Sequence, residues 1–289
     1  MRRATRGIVT GWALLRVEVG WEPPLGRLLA AIASATILSA ATASMQDERI
    51  KTELFLREGV VVSQQAIPVG ITRPKKLTLE SDGTTAHAAW KTVDEFTPGL
   101  THLPAGSLEM GFRDSYKHEV AAYELDKMLG LGIVPVTVER SIDGHRGSLQ
   151  NWVENAMSEF QRVERGIEPP DPAAFNDEMH KIRLLHQLVS NEDYENASNV
   201  LIDPDFKLWA IDHSRAFQTR RELRQVEALV RFSEDVVEKM AALTMRDLQE
   251  RLGAWLSEAQ LVTLLDRRDR IMARVDELIA EKGEDAVLY

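Results

Sequence analysis

The sequence predicts an α+β chain of two unlike halves. Three observations point there. Alternating, turn-punctuated segments dominate up to about residue 153, the only proline cluster follows at Glu168-Pro-Pro-Asp-Pro172, and amphipathic helical spacing dominates afterwards, interrupted by one short hairpin. Such a chain places a ligand in the cleft between its halves.

Taken in order, residues 47–113 read as strand-like. Lys76–Glu80 and Ala86–Val93 flank Ser81-Asp-Gly-Thr-Thr85, where Asp82-Gly83 is a hairpin-turn pair. Ile67–Pro74 is a loop carrying Gly70. A helix is predicted over 115–130, capped by Asp114 or Ser115, carrying Val120, Leu125, Met128 and Leu129, and stopped by Gly130 or Gly132. Ile133–Arg140 reads as a strand that Asp143-Gly144 turns into a second strand through Ser148–Val153. Residues 154–174 cross into the second half, a helix follows over about 175–190, and everything beyond Thr219 except its caps reads as helix, with Thr244-x-x-Asp247 as a capping box.

Composition narrows the function. The chain has 289 residues, 44% of them hydrophobic, and a formal charge of −10. An acidic body disfavours nucleic acid, whose binding rests on Lys and Arg neutralising phosphates. With no cysteine there are no disulfides, thiolate metal sites or thiol nucleophiles. Arg27, the short apolar run Leu28–Ala40 and the small-x-small ending Ala41-Thr-Ala43 describe a cleaved signal peptide over 1–43, and hence export to the periplasm or beyond. A start at Met45 would instead leave the chain in the cytoplasm. The apolar run is too short and too rich in Ala, Ser and Thr to make a stable membrane span, which needs about 20 strongly apolar residues.

The most informative segment is Asn199–Phe217. Val200-Leu-Ile and Leu208-Trp-Ala-Ile read as strands around the turn Asp203-Pro-Asp-Phe. If residue 203 faces 208, Asn199 faces Asp212, which brings an amide oxygen and a carboxylate to one hairpin mouth. Such hard oxygen ligands suit Mg²⁺ beside a nucleotide phosphate.

The glycine loop at Gly70, the strand lysine in Ala-Ala-Trp-Lys91, the helix glutamate in Lys117-His-Glu119, the polar loop Asn191–Asn199 and the hairpin end Ile211-Asp-His-Ser occur in an order that resembles the protein kinase-like superfamily. The likeness is to its atypical branch of phosphatidylinositol 3- and 4-kinase-like, HipA-type and secretory-pathway kinases. The strings Gly147–Glu154 and Ile211–Phe217 look like those of uncharacterised bacterial members, and the resemblance covers about residues 60–220. It implies a bilobal fold with a β-rich N-lobe over 44–154 and a mostly helical C-lobe over 155–289. It further implies that ATP and Mg²⁺ are bound and that a phosphoryl group passes to an unknown hydroxyl-bearing acceptor, a protein, sugar or lipid headgroup. Lys91 would hold the α- and β-phosphates, Glu119 would orient Lys91, Gly70 would belong to the phosphate-covering loop, and Trp152 and Val153 would present hinge backbone to adenine. Asn199 and Asp212 would bind the metal, and Asp193 would accept the acceptor's proton.

Taken singly, each residue has a plainer reading: Lys91 as a solvated strand residue, Glu119 as a helix-dipole partner, Gly70 as a turn glycine. The catalytic loop also departs from the family's pattern. Tyr194 stands where an arginine follows the catalytic aspartate, and Asn199 lies six positions after Asp193 instead of five. Two alternatives therefore accompany the phosphotransferase: a pseudokinase that binds nucleotide as a scaffold, and an AMP transferase on the same fold.

Overall fold

Alternation along one strand organises the first half. In β3 (Thr84–Lys91) Ala88 and Trp90 point to one face and are buried, while Ala89 and Lys91 point to the other. The computed structural model describes residues 46–67, 74–102 and 108–289, of which 49–289 form one compact unit. The expected signal peptide, the alternative start at Met45 and Gly70 lie outside the described residues.

β3 is central in a five-stranded antiparallel sheet ordered β1 (Val60–Ala66), β2 (Lys75–Ser81), β3, β7 (His145–Asn151), β6 (Thr137–Ile142). The β2–β3 hairpin turns as expected on Asp82-Gly83, whose φ values of 49° and 73° are those of a two-residue primed turn. One sheet face buries Leu77, Leu79, Ala88, Trp90, Val138 and Leu149 against Leu56 of a helix, α1, over residues 46–58. That helix corrects the strand-like reading of the segment. Ile133 and Val134 are buried but not in a strand, because the Asp126 carboxylate accepts their N–H groups at 2.8 and 2.9 Å and ties them to a helix end.

That helix, α2 (Tyr116–Leu129), begins and ends where the sequence indicated. The Ser115 side chain accepts from the Lys117 amide, and Gly130 closes it in the left-handed conformation. It follows a two-stranded antiparallel hairpin, β4 (Asp94–His102) and β5 (Leu108–Ser115). α2 is buried on nearly every face, and Ala121, Tyr123, Leu125 and Leu129 join the core of the second half. It is thus the shared wall of both halves.

The second half holds α3 (Glu159–Glu164), α4 (Pro172–Leu188), α5 (Glu234–Ala242), α6 (Met245–Leu252), α7 (Glu258–Lys282) and α8 (Glu284–Val287). A small sheet joins β8 (Met157–Ser158), β9 (Val200–Ile202) and β10 (Leu208–Ala210). The capping box at Thr244 and Asp247 starts α6 as expected. Residues 219–233 are not helical apart from one 3-10 turn, which corrects the all-helical reading of that stretch. Among the described residues no helix is long and apolar enough to cross a membrane.

Candidate active site

The β9–β10 hairpin forms, but one residue out of the expected register. Ile202 faces Leu208 and Val200 faces Ala210, so Asn199 meets Ile211, whose N–H donates to the Asn199 carbonyl at 2.9 Å. The extra loop residue follows from Asp203. Its carboxylate accepts the amides of Asp205 and Lys207 at 3.0 Å each and the Trp209 indole N–H at 3.0 Å, and Phe206 takes a positive φ of 62°. A one-residue slip in a continuous strand would send Asp212 to the other face. Asp212 escapes that rule because it leaves the strand: its φ is 62°, an uncommon conformation for a side-chain-bearing residue and a mark of functional sites.

Three contacts then fix where Asp212 points. The Ser214 carbonyl accepts from the Ser115 amide at 2.9 Å and from His118 Nδ1–H at 2.8 Å, and the His213 amide donates to Glu119 Oε2 at 3.0 Å. The segment after β10 is therefore clamped to the first turn of α2. His118 is held neutral by this geometry, since its Nε2 accepts from Gln260 at 3.1 Å, and burial lowers its pKa to about 4.

Lys91 closes the arrangement. Its ammonium donates to Glu119 Oε1 at 2.5 Å and to Asp212 Oδ1 at 2.7 Å. Burial works against this charge, but the two carboxylates outweigh it and raise the pKa above the usual lysine range. Burial likewise opposes ionisation of Glu119, and Lys91 reverses it, holding the carboxyl well below its ordinary value. Three residues from three distant segments thus meet as one ion cluster. A lysine ammonium has three protons, so one remains for a ligand.

Gly147, in one of the family-like strings, has a physical reason to be glycine. A Cβ there would stand 2.3 Å from the Lys91 carbonyl oxygen and 2.9 Å from the Trp90 ring. Its absence lets β7 close against the end of β3 that carries Lys91.

Asp114 was missed by sequence reasoning, which treated it only as a possible helix cap. It is 5% exposed, its Oδ1 has no hydrogen-bond partner among the described residues, and burial raises its pKa, a rise that a hydrogen bond with the Ser214 side chain and the Lys91 charge oppose and that Asp212 and Glu119 increase. The sequence offered only a carboxylate two residues ahead of α2, where the cap is in fact Ser115; its burial is a tertiary outcome.

The remaining candidates are Asn199, Asp193, Trp152 and Val153. Asn199 is buried with its Nδ2 unpartnered. Asp193 is one-third exposed in the loop before it, with Oδ1 bonded to Arg215 Nη1 at 3.1 Å; burial raises its pKa and Arg215 opposes that. Trp152 is no free adenine donor, because its N–H already donates to the His87 carbonyl at 3.0 Å and the Lys76 ammonium lies 4.3 Å from its ring centre. Val153, next along, makes no hydrogen bond among the described residues.

The donor set suits a small hard cation. Carboxylates of Asp212 and Asp114 and the amide of Asn199 are oxygen ligands, and the orphaned Asp114 oxygen lacks a partner that such an ion would supply. Among the described residues no three carboxylate or imidazole side chains are gathered closely enough to hold a metal by themselves, so water or ligand oxygens would have to complete the sphere.

Structural comparison places the fold in a known architecture. The chain is similar to hydra Fam20 solved with sugar, with a TM-score of 0.61 over 84% of this chain and 92% of that one at 12% identity. It is also similar to the Golgi casein kinase, with a TM-score of 0.59 over 83% and 77% of the two chains at 11% identity. The fold is kinase-like. The same Golgi enzyme solved with Mn/ADP bound gives a TM-score of 0.57 over 84% of this chain and 79% of that one at 13% identity. The sequence itself matches no family model and no curated protein.

Proposed function

We propose that this protein is a phosphotransferase that uses ATP and a divalent cation, Mg²⁺ in the first instance, to phosphorylate a hydroxyl-bearing acceptor. The observation that carries the reading is the convergence of Lys91, Glu119 and Asp212, from β3, α2 and the end of the β9–β10 hairpin, on one ion cluster. A kinase-like fold and a similar Golgi casein kinase solved with Mn/ADP support it.

In this reading Lys91 exchanges its bond to Asp212 for nucleotide phosphate oxygens while Glu119 keeps it oriented. Asp212, Asn199 and Asp114 would hold the cation, whose charge would offset that of the transferring phosphoryl group. Val153 offers the adenine its backbone. Asp193 accepts the acceptor's hydroxyl proton through the oxygen that Arg215 does not occupy, as the acceptor oxygen bonds to the γ-phosphorus and the bond to ADP breaks. Export over residues 1–43 belongs to the same proposal, and the net charge of −10 favours an acceptor that is not a polyanion.

The test is a melting experiment with turnover measured alongside. Mg²⁺·ATP at a hundredfold excess over Kd adds about 2.7 kcal/mol, a rise of several degrees for a domain of this size. Asp212→Ala abolishes that rise, and Asp114→Asn raises the metal concentration needed to reach it. No shift in the intact chain overturns the proposal. A shift with no ADP release against a broad acceptor panel points to a scaffold instead, and AMP on the product points to the other transferase chemistry.

A further inference from the structure

Tyr194 stands where the family's pattern has an arginine, yet a guanidinium does reach the loop from elsewhere. Arg215, three residues beyond Asp212, donates from Nη1 to Asp193 Oδ1 at 3.1 Å. Its main chain docks on the same loop, with the Glu192 amide 3.4 Å from the Arg215 carbonyl, which also accepts from Gln218 Nε2 at 3.0 Å. Its guanidinium lies 5.6 Å from the centre of the Phe112 ring in β5, within cation–π range. One side chain therefore joins the hairpin ahead of α2, the segment that carries Asp212, and the loop that carries Asp193.

We infer that Arg215 is the positioning residue of the transfer step: it holds Asp193 with one carboxylate oxygen engaged and the other turned to the acceptor hydroxyl. This rests on the phosphotransferase reading above. The surroundings favour such a role over a plain surface ion pair. Asp193 Oδ2 has no partner among the described residues, and the Arg215 side chain is 18% exposed. The Asn191 side chain accepts the Asp193 amide at 3.2 Å, and Arg224 binds Glu192, so neighbouring bonds shape the loop without engaging the Asp193 carboxylate. The charges facing Asp193 are Arg215 and Lys91, which favour its ionised form, and Asp212 and Glu192, which oppose it. Removing Arg215 leaves the opposing pair dominant.

The experiment compares the intact chain with Arg215→Gln and Arg215→Lys in three readouts: the Mg²⁺·ATP melting shift, the rate of ADP release against pH, and titration of the Asp193 carboxyl followed by carbon NMR. Arg215→Gln is expected to keep the nucleotide shift and lose at least about tenfold in rate, part of the 10²–10⁴ a positioned base supplies. The acid limb of its pH profile moves to higher pH together with the Asp193 titration, since Arg215 favours the carboxylate. Arg215→Lys restores part of both. An unchanged rate and an unmoved Asp193 titration in Arg215→Gln overturn the inference, as does loss of the nucleotide shift in that variant, which makes the arginine merely structural. If the intact chain shows no nucleotide shift at all, it is the phosphotransferase reading that fails, and this inference falls with it.

Discussion

The two sides of the candidate site are built differently. On one side, Lys91 and Glu119 are 13% and 1% exposed and are locked by charge and by the clamp between α2 and Ser214. On the other, Asp193 is 33% exposed and, among the described residues, has a single ion-pair partner in a loop shaped by local turns. In the proposed reaction the first arrangement would suit binding a fixed ligand, the triphosphate. The second suits admitting a variable one, the acceptor. Buried ion pairs resist change because losing one partner strands the other, whereas an exposed base can be removed at little cost to the fold.

The largest expected effect breaks the buried side. Lys91→Met strands Glu119 and is expected to cost about 3 kcal/mol of stability and abolish the nucleotide shift, with thermal and urea unfolding as the measurements. Adding Glu119→Gln to it removes the stranded charge and should return much of the stability, but none of the nucleotide shift. Should the double variant be no more stable than the single one, the buried pair is not the electrostatic unit described here.

Asp193→Asn probes the open side. The expected outcome is a fold of unchanged stability, an intact Mg²⁺·ATP shift, and ADP release lowered by about 10²–10⁴. A loss of nucleotide binding comparable with that of Lys91→Met would erase the distinction between the two sides.

The smallest effect is in pH. His118 lies beneath the buried side and His186 beneath the loop, where the Asn191 amide binds its carbonyl. Burial lowers their pKa values to about 4 and about 3, from an ordinary 6.5. The unfolded chain therefore binds more protons than the folded one between these values, so stability is full above pH 6.5 and declines as pH falls towards the folded values. At pH 5 each histidine should cost roughly 2 kcal/mol relative to neutral pH. His118→Gln and His186→Gln should each flatten the melting temperature's slope between pH 6.5 and 5. An unchanged slope in one variant would mark that side as already hydrated.

Local chemistry explains what could be read in advance. Asp82-Gly83 makes its turn because both residues tolerate positive φ; Ser115 and Gly130 bound α2 because they satisfy end groups within a few residues; Thr244 and Asp247 do the same for α6. Lys91, Glu119 and Asp212 were legible as candidates through their order along the chain. The hairpin register was not, because the Asp203 carboxylate widened the turn through three bonds that no strand pattern announces. Residues 219–233 carry helical spacing, yet Arg267 of α7 binds the carbonyls of Gln218, just ahead of that stretch, and of Arg220 within it, so tertiary hydrogen bonds hold the chain open there.

By itself the sequence determined the two unlike halves, the Asp82-Gly83 turn, the ends of α2 and the start of α6, and which carboxylates and amines were available for chemistry. These depend on bonds between near neighbours, which spacing records. Only the tertiary structure decided that Asp212 turns out of its strand to meet Lys91, that Asp114 is buried beside them with an unpartnered oxygen, and that Arg215 stands against Asp193. Those outcomes depend on burial and on partners far apart in the chain, whose energies exist only once the halves have closed on α2.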